Sequence, residues 1–116
     1  MMRREERLRG ERDFQAVYRQ GRAWSNGLLV MKVVPNGLDL NRYGFSVGKR
    51  IGGAVVRNRV KRLLREGLRL TQIEPGWDMV FIGRGEAANA DYRTIKDAIE
   101  DLISRARLLK DGGGGY

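Results

Sequence analysis

Residues 55–69 read VVRNRVKRLLREGLR. On a helical wheel Val56, Val60, Leu63, Leu64 and Leu68 form one aliphatic stripe, while Asn58, Arg62, Arg65 and Arg69 gather opposite it. The pattern predicts an amphipathic helix over about residues 54–70, opened by Ile51-Gly52-Gly53 and resting on a core by its stripe. A helix with one apolar face must bury it against another element. The flanking sequence supplies the partner.

GLLVMKVV (27–34) is an aliphatic and β-branched run ended by the turn signal Pro35-Asn36-Gly37, and it reads as a strand. RYGFSVGK (42–49) reads as a second strand by its alternation: Tyr43, Phe45 and Val47 share one face, and Gly44, Ser46 and Gly48 leave the other nearly bare. After the turn at Pro75-Gly76, WDMVFIGR (77–84) is a third strand. GERDFQAVYRQG (10–21) reads as a helix because Phe14, Val17 and Tyr18 recur at helical spacing, with Gly21 stopping it. Tyr92, Ile95, Ile99, Leu102, Ile103 and Ala106 mark a C-terminal helix with Asp91 as its N-cap. Trp24 and Trp77 sit at strand starts and are expected to pack. The order helix, strands, helix, strand, helix predicts a small α+β sandwich. At 116 residues the chain makes one domain, 1–111, followed by a Gly-rich tail, 112–116, expected to be disordered.

Composition narrows the chemistry. There is no cysteine, so disulfides, thiolate metal sites and cysteine nucleophiles are excluded. There is no histidine either, which removes the commonest general base and metal ligand. The charged start MMRREERLRG lacks an apolar run, and no stretch is long enough to span a bilayer, so the expectation is a cytoplasmic protein with no membrane partner. Net charge is +9, of which residues 49–69 carry +7. A field of one sign concentrated on one segment points to a polyanionic partner.

Arg57 and Arg59 fall in or near the first turn of the predicted helix, where the macrodipole is positive and basic residues cost a few tenths of a kcal/mol each. Free backbone N–H groups and arginines together make an anion site of high local potential, and arginine suits bidentate phosphate recognition. Mutual screening does not explain charges of one sign. Phosphate binding is the expectation, and charge alone leaves DNA and RNA both open. No zinc-finger spacing, basic zipper, RNP submotif or KH clamp is present. A structured-RNA binder of ribosomal type and a carboxylate-metal nuclease remain as alternatives.

GFSVGKRIGGAVVRNRVKRLLREGLR (44–69) resembles the signature of the bacterial ribonuclease P protein subunit, in which a G-[IF]-S-V strand leads through a Lys/Arg pair to AVxRNRxKRxxRE. RLRGERDFQAVYRQGR is similar to the N-terminal helix of that family, and WDMVFIGRGEAA to its strand ending in arginine, so the resemblance covers about residues 7–109. The chain departs from it at Gly48, where many relatives have serine, at Gly53, where lysine or asparagine is common, and at Tyr18, where phenylalanine is usual.

The resemblance implies a two-layer αβββαβα sandwich of the ribosomal protein S5 domain 2-like kind with a left-handed βαβ crossover, an exception to the right-handed rule. It also implies an RNA-binding subunit without chemistry of its own. A catalytic RNA subunit, with magnesium held mainly by that RNA and the substrate, removes the 5′ leader of precursor tRNA. No obligate protein partner is implied. Carried onto this sequence, Arg57, Asn58, Arg59, Lys61, Arg62 and Arg65 would contact the RNA subunit. Phe14, Tyr18, Ser46, Lys49, Arg50 and Arg84 would line a leader cleft, with the two rings stacking on single-stranded bases and the bare strand face admitting a nucleotide backbone.

Overall fold

The structure is a computed structural model that describes residues 4–110; the expected Gly-rich tail lies outside the described residues. Four strands, β1 (Arg22–Ser25), β2 (Leu29–Pro35), β3 (Arg42–Ser46) and β4 (Trp77–Gly83), form one sheet in the order β1-β2-β4-β3. β2 pairs antiparallel with both β1 and β4, whereas β3 runs parallel to β4. Parallel neighbours need a crossover, and α2 (Ala54–Arg69) provides it. α1 (Gly10–Gln20) precedes the sheet and α3 (Tyr92–Arg105) ends the domain, so this is the expected α+β arrangement of three helices and a sheet.

Two differences from the local reading have physical causes. β1 was not visible as a strand in the residues alone, because RAWS is too short to show alternation; its pairing from Arg22 opposite Val33 to Ser25 opposite Val30 decides it. β3 stops at Ser46 rather than Lys49, because the chain then curls into successive turns. The Ile51 N–H donates to the Gly48 carbonyl at 3.0 Å and the Gly52 N–H to the Lys49 carbonyl at 3.2 Å.

The two sheet faces are unequal. Leu29, Met31, Val33, Met79 and Phe81 face a core completed by Val60, Leu64 and Leu68 of α2 and by Ile95, Ile99, Leu102 and Ile103 of α3. Gly67 brings these helices together, since a β-carbon there would stand 2.8 Å from Ile99 Cδ1. α1 lies across the other face, where its buried Val17 joins Leu8 and Val80. Asp13 caps its start by accepting the Arg9 N–H at 2.9 Å. Gly21 ends it as expected: its N–H reaches the Val17 carbonyl at 2.8 Å, an approach so close that a β-carbon would collide with that oxygen. Asp91 caps α3 by accepting the Thr94 N–H at 2.9 Å, and hydrogen bonds from the Thr94 side chain and backbone hold its carboxyl below the usual range.

One polar cluster is built into this framework. Buried Asp78 of β4 accepts from Arg42 Nε at 2.8 Å, from Arg42 Nη2 at 2.6 Å and from Asn36 Nδ2 at 2.9 Å. Arg42 also lies 3.8 Å from the Asp13 carboxylate, so β3, β4, the turn after β2 and α1 meet at one ion-pair network. The Asp78 hydrogen bond raises the Arg42 pKa further, against the opposing effect of burial.

Candidate nucleic-acid interface

α2 begins at Gly53 with no side-chain cap and no acid in its first turn. Its amphipathic packing is as expected: Val60, Leu64 and Leu68 are buried, and Val56 and Leu63 pack at the margin of the core. The polar residues do not all share one outer face. Asn58 and Arg62 are exposed, whereas Arg57, Arg59, Lys61 and Arg65 are half-buried.

Arg59 is held by backbone. Its Nη1 donates to the Ala88 carbonyl at 2.8 Å and its Nη2 to the Ala90 carbonyl at 2.7 Å. The fork thereby bridges α2 to the 3-10 turn Gly85–Asn89 that follows β4. Arg57 differs: its Nε is buried with no hydrogen-bond partner. Arg65 leans toward the sheet, with its guanidinium carbon 5.9 Å from the Phe45 ring centroid.

The expected leader residues come from four segments of chain. Phe14 and Tyr18 stand one turn apart on α1, half-buried, with ring centroids 6.3 Å apart and planes at 46°. Ser46 lies on the same sheet face, opposite Ile82 in the parallel register. Because β3 and β4 are parallel, Lys49 and Arg50 beyond one and Arg84 beyond the other emerge at the same end of the sheet, and all three are exposed. Arg84 is steadied there by its backbone N–H on the Leu28 carbonyl at 2.8 Å and its Nη1 on the Asn26 carbonyl at 3.1 Å.

The bare strand face is partly filled. A β-carbon on Gly44 would stand 2.5 Å from Phe14 Cζ, so this glycine makes room for the ring rather than for a ligand. Gly48 is exposed with open space around it. Lys32 was missed by the sequence reading. Its Nζ lies 5.5 Å from the Tyr18 ring centroid, adding a cation beside the two rings. The signal was present: in LVMKVVP it is the one charge, on the face opposite Met31 and Val33.

Among the described residues no three acids gather as a metal site, and no helix is long and apolar enough to cross a membrane.

The family model for Ribonuclease P matches residues 2–107. The ribonuclease P protein component of Caldanaerobacter subterraneus subsp. tengcongensis is 45% identical over 107 residues, covering 90% of this chain and 92% of the relative. That of Dehalococcoides mccartyi is 43% identical over 108 residues, covering 93% and 90%. Among solved structures, the Staphylococcus aureus RNase P protein superposes with a TM-score of 0.83 at 30% identity, covering 90% of this chain and 98% of that one. The Thermotoga maritima RNase P protein gives 0.80 at 33% identity, covering 86% and 96%. Sequence over nearly the whole length and fold thus agree that the chain belongs to the ribonuclease P protein family, RNA-binding components of the endoribonuclease that processes tRNA.

Proposed function

We propose that this chain docks on the catalytic RNA subunit through α2 and holds the 5′ leader of precursor tRNA in the cleft between α1 and the sheet. The observation that carries this reading is the pairing of two chemically different surfaces on one rigid domain. α2 offers an uncapped N-terminus with Arg57 in its first turns, and the exposed Asn58 and Arg62 further along the helix, suited to phosphates. The cleft offers the Phe14 and Tyr18 rings, suited to stacking without reading sequence, with Lys32, Lys49, Arg50 and Arg84 nearby. Phosphodiester hydrolysis falls to the RNA subunit, with magnesium held by that RNA and the substrate. In support, the chain has no histidine or cysteine, and its described acids form no three-residue metal cluster. The protein works in the cytoplasm, where precursor tRNA is made, without an obligate protein partner.

The test incubates precursor tRNA with the protein alone, with a bacterial catalytic RNA alone at low magnesium, and with both. Cleavage is expected to be fast only in the mixture. Cleavage by protein alone would overturn the division of labour, and no gain from mixing would favour a ribosomal-type RNA binder.

The two arginines of the motif should also separate. Arg57→Ala is expected to weaken assembly with the RNA subunit and to flatten its log–log salt dependence by about 0.7 to 0.9 for one lost phosphate contact. Arg59→Ala should chiefly lower the unfolding midpoint, because two of its donors serve the Ala88 and Ala90 carbonyls. Salt titrations of assembly alongside urea unfolding check this. A larger loss of slope for Arg59→Ala than for Arg57→Ala would contradict it.

A further inference from the structure

A cavity of about 190 Å³ opens at the outer edge of β3, where α1 and α2 approach it from opposite faces of the sheet. Its walls bring together Arg7, Lys61 and Arg65, and its apolar lining includes Phe14, Tyr43 and Phe45. Lys61 and Arg65 are one helical turn apart and both line this cavity, while Arg65 lies over the Phe45 ring. They therefore point to the β3 edge, and the exposed Asn58 and Arg62 do not line it.

The edge itself is only partly covered. The Leu8 N–H donates to the Tyr43 carbonyl at 2.9 Å, which shows that Tyr43 turns its backbone outward. Phe45, two residues on, turns the same way, since alternate residues of a strand bond to alternate sides. Phe14 lines this cavity and also packs against the cluster of Leu8, Val17 and Val80 beneath α1, so one ring is shared by the cavity and the α1 side of the sheet.

We propose that this cavity takes a nucleotide of the 5′ leader, and that Lys61 and Arg65 serve the substrate side of the protein rather than the RNA-subunit surface. The proposal rests on the RNA-binding reading above and names a subsite within it. Aromatic rings walled by cations are the chemistry that holds a base and its flanking phosphates in single-stranded RNA. Charge also sets this cavity apart. Beyond Tyr43 and Arg65 a second cavity mixes the acids Glu6 and Asp39 with Arg65 and Arg69, and there Arg69 is paired with Glu66 at 3.0 Å. Its charges offset one another, so the stronger attraction for phosphate lies on the side of Arg7, Lys61 and Arg65, whose cavity has no acid in its lining.

The test uses holoenzyme assembled with the RNA subunit, precursor tRNAs whose leaders are shortened nucleotide by nucleotide, and mature tRNA. The Lys61→Ala/Arg65→Ala variant is expected to lose about tenfold or more in affinity for long-leader precursor, as charge-assisted contacts are worth. The loss should vanish at a definite leader length, with mature tRNA binding and subunit assembly unchanged. Arg65→Lys, which keeps the charge and guards against a folding defect, should lose affinity with the same leader-length dependence. Leader RNA carrying 4-thiouridine should crosslink to the segment holding Tyr43 and Phe45. Weakened subunit assembly with leader dependence intact would overturn the proposal, as would no change in either while Arg57→Ala still weakens assembly. If neither Arg57→Ala nor Tyr18→Ala affected any RNA, the underlying RNA-binding reading would fall with it.

Discussion

Replacing Asp78 by alanine is expected to destabilise the domain by about 3 kcal/mol, the lower end of the cost of removing one partner from a buried ion pair. The Asp78 side chain is only 8% exposed, and it accepts both arms of Arg42 as well as the Asn36 amide. Its loss strands the guanidinium of Arg42, whose side chain is 28% exposed. Water reaches that cation in part, which is why the lower end applies. For a domain of this size the change corresponds to roughly 10 to 20 °C in Tm. Urea unfolding should show a lower midpoint with an unchanged slope, and Asp78→Asn, which keeps one acceptor, should fall between. A midpoint close to the parent's would mean that Arg42 re-pairs with Asp13, now 3.8 Å away, at little cost.

The second large effect falls on function. Tyr18→Ala should cost about 1 to 3 kcal/mol in affinity of the holoenzyme for precursor tRNA, the worth of one base stacked on a ring. Mature tRNA should bind as before, because it has no leader to place in the cleft. Tyr18 also packs beside Val17 and Val80, so part of any change could reflect folding. Tyr18→Phe separates the two, since it keeps the ring and should keep the affinity. Equal weakening toward precursor and mature tRNA would remove Tyr18 from the leader site. The flanking Lys32 sharpens the expectation: Lys32→Ala should weaken precursor binding less than Tyr18→Ala and lower its salt dependence.

The residues of α2 were legible because periodicity is local. Val60, Leu64 and Leu68 recur on one side of any helix that contains them, and all three are buried. The stop at Gly21, the cap at Asp91 and the strands β2 and β4 were legible for the same reason: each is dictated by the chemistry of a few neighbouring residues. The motif around Arg57-Asn58-Arg59 identified the family by resemblance, and the matched length and the shared fold agree with it.

What the chain alone did not show were contacts between residues far apart in sequence. β1 exists because β2 lies beside it, not because RAWS favours a strand. Gly44 looked like an open floor until Phe14, thirty residues earlier, was found seated on it. Arg59 and Arg65 read alike in the motif, yet one is bound by the carbonyls of Ala88 and Ala90 and the other lies over Phe45. A helical wheel gives the direction of a side chain relative to its own axis and nothing about what stands in that direction. Sequence by itself therefore determined the three α-helices, the strands β2, β3 and β4, the core face and the surplus of positive charge. Only the tertiary structure decided how that charge is divided, because the partners of each arginine are supplied by strands and turns the helix meets after folding.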